Sequence, residues 1–374
     1  MMASLLGVGA VAPFLRGERG GAKNSVLLRY TAHVPNSHGL YAKVFVPWVE
    51  MVTARTGGRI RWEHYVDGLL HGALDGFKAV ATGVTDYTHG YATYQPGSFH
   101  LTHGLQLPFL FANPGVAALV SEELYPEYLK GEYERMGVYL AHCDSTTAYD
   151  IMSKTPIRVP ADIRGLKVRS TGGLMADILR QVDAIPVVLA AAETYTAFQR
   201  GIIDAVAVGA PDMAAYRLYE TGNYYLPIRL THTVIQYCLN PRTFDRLPTE
   251  LRVQLYDLYR LRGQVAYQNY YGGEALAQAI AALTAGGVET VEPTPEERQQ
   301  WVEVVQPLEH RFIEQNERLG LPATAFVREA RQRAAVVTAD ARRIAEESAV
   351  VLSNCFAVSY ISRLPELFYL FCTE

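Results

Sequence analysis

The chain has 374 residues, 49% of them hydrophobic and 19% charged, with a formal net charge of −4 and a pI near 6.2. This is ordinary globular usage with enough length for two cores, so a disordered chain is excluded. The acidic balance and the absence of Lys/Arg runs exclude the electrostatic footprint of a nucleic-acid binder or an anionic-membrane binder, leaving small molecules and protein partners.

The chain opens on "MMASLLGVGAVAPFLRGERGG", where the apolar run from Ala3 to Leu15 has the length of a signal-peptide core and is too short to span a bilayer. It lacks a basic n-region, so residues 1–24 are read as an export-signal remnant or a disordered N-terminus, with export as the favoured reading. "SVLLRYTA" then reads as a strand. Leu40, Tyr41, Val44, Phe45, Trp48, Val49 and Val52 follow at helical spacing, up to Gly57 and Gly58. "RIRWEHY" alternates Ile60, Trp62 and His64 as a strand does. Leu69, Leu70, Ala73, Leu74, Phe77, Val80 and Ala81 predict a second helix, and "VTDYTHGY" a third strand. Strand, helix, strand, helix, strand is the order of a parallel sheet with crossover helices.

The order recurs from residue 165: a strand over 165–169, a helix from about Leu174, strand-like "IPVVLA", a short helix through Tyr195 and Phe198, and strand-like "IIDAVAV". Residues 249–284 predict one long helix able to bridge both units, with Leu251, Leu255, Leu258, Leu261 and Val265 on a helical repeat. "TPEE" predicts a helix start, with Thr294 as cap, Pro295 at the first helical position and Glu297 closing a capping box. The four cysteines (Cys143, Cys238, Cys355 and Cys372) show no metal-ligand spacing and read as inert thiols; export would permit a Cys143–Cys238 bridge. Tyrosines outnumber phenylalanines 24 to 13, and a minority of them are expected to line a cleft.

Open α/β sheets bind ligands at the carboxyl ends of their strands. Arg169 stands at such a place, at the end of "DIRGLKVRSTGG". So do His33, the segment His89 to Tyr91, and the turn "VGAPD" with Val208 and Gly209. A guanidinium there stays charged at any relevant pH and can make two parallel hydrogen bonds to a carboxylate. The bland alternative is a surface arginine paired with an acid such as Asp162.

The run "PADIRGLKVRSTGG" followed by "AIPVVLAAAETYTAFQRGIIDAV" resembles the solute-binding proteins of tripartite ATP-independent periplasmic (TRAP) transporters, the DctP-like family. Gly165, Leu166, Lys167, Arg169, Glu193, Tyr195, Ala197, Gln199, Gly201 and Asp204 carry the resemblance, and "GLLHGALDGFKAVATGVTDYTHGY" and "LQLPFLF" extend it upstream. It implies an α/β, two-lobed periplasmic-binding-protein fold with a central cleft, hinge strands and a long lobe-spanning helix. Lobe I would comprise residues 25–148 plus 235–273, lobe II residues 149–234 plus 274–335, and residues 336–374 a C-terminal helical extension. It further implies a periplasmic protein without catalytic residues that captures a small organic acid and delivers it to a TRAP membrane permease. Arg169 matches the family's ligand-binding arginine. An ungapped match puts Tyr149 where sialic-acid-type members carry a second arginine. Ala207 and Val208 replace the Glu-Trp pair of metal-dependent members, so no metal and no cofactor are expected.

These departures point to a monocarboxylate with an apolar or aromatic portion. Tyr91, His33 and His232 are further candidates for hydrogen bonds to the ligand. The extension reads either as an extra helix on the body or as a homodimer contact. Two other classes remain open to a sequence of this kind: an α/β enzyme acting on a small carboxylic acid, for which no GxSxG, HExxH or Walker A pattern is present, and a periplasmic ligand sensor.

Overall fold

The structure, a computed structural model, describes residues 25–354; the export-signal reading, Cys355 and Cys372 lie outside them. Eleven strands form two sheets. The first has the order β2-β1-β3-β10-β4, with β1 (Val26–Thr31), β2 (Ile60–Tyr65), β3 (Tyr87–Gly90), β4 (Tyr139–Ser145) and β10 (Val234–Leu239). β1 runs parallel to β2 and β3, while β10 is antiparallel to β3 and β4. Every residue of β10 is buried, as its central place and its near-continuous apolar sequence require.

The second sheet has the order β11-β9-β5-β8-β6-β7, with β5 (Asp150–Ser153), β6 (Lys167–Ser170), β7 (Ile185–Val188), β8 (Ala205–Val208), β9 (Tyr224–Leu226) and β11 (Glu289–Thr290). β6 is parallel to β7 and β8, and β5 is antiparallel to β8 and β9. Each sheet has its own core. One core packs Trp48, Phe45, Tyr87 and Tyr259 on the first sheet. Another packs Phe198, Met152, Ile178 and Trp301 on the second.

Besides the helical passage from β10 to β11, the chain crosses between the sheets through two short segments, residues 146–149 and 227–233. These segments bond to each other. Tyr149 N–H donates to Thr231 O at 2.6 Å, Leu230 N–H to Tyr149 O at 2.9 Å, and Thr146 N–H to Thr233 O at 3.0 Å. The two crossing segments thus lie side by side between the cores.

Three local expectations are adjusted. The helix predicted over 69–81 is confined to Gly76–Thr82, and Leu69 and Leu74 are exposed, so their helical spacing reflects no buried face. The long helix over 249–284 is two helices, Thr249–Ala266 and Gly273–Ala285, joined through a wide turn over Tyr267–Tyr271. Gly272 is extended there, and a Cβ on it would meet the Tyr267 ring at 2.5 Å, so the break needs glycine. Cys143 and Cys238 are buried free thiols, both pushed up by burial, and form no bridge.

The capping box is present: Glu297 N–H donates to Thr294 Oγ1 at 3.2 Å and Thr294 N–H to Glu297 Oε2 at 2.8 Å. The helix Ala323–Asn354 packs Ala330, Ala334, Val337 and Ala341 into a core beside the first sheet. Among the described residues no helix is long and apolar enough to cross a membrane.

Candidate ligand-binding site

A narrow cavity lies between the two sheets, walled by residues that follow β1, β3, β6 and β8 and by Thr146 and Tyr149 of the crossing segment. His33, Tyr91, Tyr94, Tyr149, Arg169, Val208, Asp212, Tyr216 and Tyr271 are among its lining residues. Parallel strands ending at one edge bring side chains from distant parts of the chain to a single place.

Arg169 is 1% exposed. Its strand lies between β7 and β8, with Arg169 opposite Val187 and Val206. Nε donates to Leu189 O at 3.1 Å, Nη1 to Ala207 O at 3.4 Å and Nη2 to the Tyr94 hydroxyl at 3.5 Å. These bonds fix the guanidinium plane with neutral partners and leave part of its five-donor fork free. Among the described residues no carboxylate makes an ion pair with it. Asp162 is occupied elsewhere: its Oδ2 accepts from Arg158 N–H at 2.8 Å and Val159 N–H at 3.0 Å in an exposed turn. A buried cation without a directly paired counter-charge is costly, and Asp212 shares the cavity with it without making an ion pair.

Tyr149 is buried beside it. Burial lifts its phenol to about 12, against the pull of Arg169 and a bond to Thr233, so it remains a neutral donor. Tyr91 packs edge-on to His89, Tyr94 and His33. His33 is pushed down to about 3 by burial and by His71 and His38; it is neutral, and its Nδ1 has no partner. Val208 contributes an aliphatic wall.

Gly209 stands next to this wall and serves another purpose. A Cβ there would meet Thr147 Oγ1 at 2.2 Å, so glycine lets the end of β8 touch the crossing segment. His232 is not brought to the cavity: it lines a separate groove with Phe109, Phe111, Arg229 and Arg298, because its segment has already turned away toward the outer face.

Tyr94, His38, Asp212, Tyr216 and Tyr271 were not singled out from the sequence. The tyrosine excess was the signal for three of them. Asp212 closes the "VGAPD" turn, but only the tertiary fold aims it inward. Its carboxyl accepts from the Tyr270 hydroxyl at 2.9 Å, and the same Oδ1 lies 3.7 Å from His38 Nε2. Burial raises Asp212 to about 6, tempered by Tyr270 and Arg169. Among the described residues no group of three or more His, Cys, Asp or Glu could hold a metal.

Two α/β lobes joined by short crossing segments over a cavity define the architecture of a solute-binding protein. The bacterial extracellular solute-binding protein family 7, DctP, matches residues 31–316, and the chain belongs to that family. It is a periplasmic solute-binding protein of the TRAP type, and not an enzyme. It is 25% identical over 286 residues to the C4-dicarboxylate-binding periplasmic protein DctP of Rhodobacter capsulatus, a match covering 75% of this chain and 84% of that one. A TRAP solute-binding protein from Rhodoferax ferrireducens, solved with copurified benzoate, superposes with a TM-score of 0.78 at 19% identity, over 83% of this chain and 98% of that one. One from Bordetella bronchiseptica, solved with bound (R)- and (S)-mandelate, gives 0.76 at 23% identity, over 83% and 99%.

Proposed function

We propose that the ligand is a monocarboxylate with an apolar or aromatic body, held by its carboxylate on Arg169 and passed to a TRAP permease. The observation that carries this reading is the buried guanidinium with neutral protein partners, facing a wall of five tyrosines (Tyr91, Tyr94, Tyr149, Tyr216 and Tyr271). Tyrosine faces suit an apolar body and their hydroxyls an oxygen. Benzoate and mandelate, recorded with two structural neighbours, are aromatic monocarboxylates and support the class; the Rhodobacter relative binds C4-dicarboxylates, so the distinction must be tested directly.

We place lobe I at 25–148 plus 235–273 and lobe II at 149–234 plus 274–335, with closure about the paired crossing segments. The burial of Val337 and Ala341 on the body supports the packed-helix reading over a homodimer contact for the start of the extension; residues 355–374 lie outside the described residues. Sedimentation of the full chain as a dimer would overturn that preference.

A thermal-shift screen of aromatic and aliphatic monocarboxylates against dicarboxylates tests the ligand class. A bound acid at about a hundred times its dissociation constant should add roughly 2.7 kcal/mol of apparent stability. Shifts with monocarboxylates are the expected result. Shifts with dicarboxylates alone would overturn the reading.

A further inference from the structure

The polar groups of the cavity divide unevenly. Arg169 comes from β6, while Asp212 comes from the short helix after β8, and both line the same space without forming an ion pair. Asp212 is buried, and its two oxygens differ. Oδ1 is engaged by the Tyr270 hydroxyl and lies near His38; among the described residues nothing donates to Oδ2. The Asp212 side chain keeps 13% of its surface accessible and lines the cavity, so Oδ2 is open to a donor from a ligand in place of solvent. His38 is no counter-charge, since burial pushes it down to about 4 and it is neutral at physiological pH. At that pH Asp212 is mainly ionised, because its carboxyl titrates near 6.

We infer that Asp212 is a second ligand-contacting group, which selects, among carboxylates held by Arg169, those carrying a hydroxyl or ammonium donor away from the carboxylate and rejects those carrying a second carboxylate. The selection has two parts. A donor on the ligand satisfies Oδ2 in a water-poor cavity, where a hydrogen bond to a charged group is strong. A second carboxylate would instead bring like charge against Asp212 in the same surroundings, a repulsive device as effective as an attractive one. The inference rests on the Arg169 reading and sharpens it: the preferred ligand becomes a hydroxy acid or an amino acid.

Two matched series of flexible acids test it by calorimetric titration of the full chain: butanoate, 4-hydroxybutanoate, 4-aminobutanoate and succinate, and their six-carbon counterparts hexanoate, 6-hydroxyhexanoate, 6-aminohexanoate and adipate. In the series whose length spans the cavity, wild type should favour the hydroxy and amino acids over the plain acid by about 10- to 100-fold, with the diacid weakest. Asp212→Asn should cut the separation between amino acid and diacid by at least about tenfold. A wild-type preference for the diacid, or unchanged ratios in an Asp212→Asn protein that still binds, would overturn this inference alone. Binding of none of the eight acids by a chain that binds an aromatic monocarboxylate would overturn this inference and leave the Arg169 reading standing; loss of the Arg169 reading shows instead as wild-type affinity in Arg169→Ala. The wild-type order is decisive even where the variant does not fold.

Discussion

Among the described residues two arginines are fully buried, and they are treated in opposite ways. Arg262, 0% exposed in the first lobe, makes an ion pair with Asp144 and lies over the Tyr237 ring at 3.7 Å. Burial alone would raise Asp144, yet Arg262 and His142 hold it below the usual carboxylate range. Arg169, 1% exposed in the second lobe, has carbonyls and a phenol as partners but no carboxylate. The first is a charge whose counter-charge the chain supplies, so its role is complete on folding. The second is oriented by neutral partners and shares its cavity with Asp212 without making an ion pair, which fits the proposed ligand-binding role. Burial alone therefore does not distinguish the two arginines; direct pairing with a carboxylate does.

That contrast can be broken or sharpened by substitution. Asp144→Ala leaves Arg262 buried with no counter-charge and should lower unfolding free energy by about 3–5 kcal/mol, read by urea denaturation. Near-wild-type stability would mean that Tyr237 and its neighbours suffice for a buried cation, and the distinction between the two sites would weaken.

Gly209→Ala forces a methyl against Thr147 where β8 meets the crossing segment, and should cost about 1–3 kcal/mol of stability. Ligand preference among acids should persist. A changed preference at wild-type stability would move Gly209 into the binding wall.

The smallest effects concern His232, which sits outside the cavity. His232→Asn should leave ligand affinity unchanged. Burial and Arg229 push His232 down to about 3, below its unfolded value near 6.5. A depressed folded value means that the neutral ring contributes stability above pH 6.5, and this is lost as pH falls toward 3. The variant's melting temperature should therefore fall less steeply than that of wild type between those limits. An equally steep fall would contradict the assignment.

Much of the fold was legible because strands at 26–31, 60–65, 87–90, 167–170, 185–188 and 205–208 carry the expected apolar runs, and the capping box at Thr294 is a purely local device. The place of Arg169 was legible for the same reason, as a cation near the end of a short strand before a glycine turn. What escaped depends on tertiary context. Leu69 and Leu74 keep helical spacing without a partner to bury them. Gly272 breaks a helix only because the Tyr267 ring occupies the space a side chain would need. Asp212, His38 and Tyr270 meet from three separate segments, and no local pattern announces such a meeting. His232 carries the right chemistry, but its segment places the ring in another groove.

The central claim is that Arg169 holds the ligand carboxylate. Calorimetric titration of wild type, Arg169→Ala and Arg169→Lys, with an acid identified by thermal shift, tests it most directly. Truncating one partner of a buried charge pair costs about 2–5 kcal/mol. Arg169→Ala should accordingly weaken binding by about 30-fold to several thousand-fold. Lysine should recover only part of this, because an ammonium keeps the charge and loses the planar fork. Wild-type affinity in the alanine variant would contradict the account.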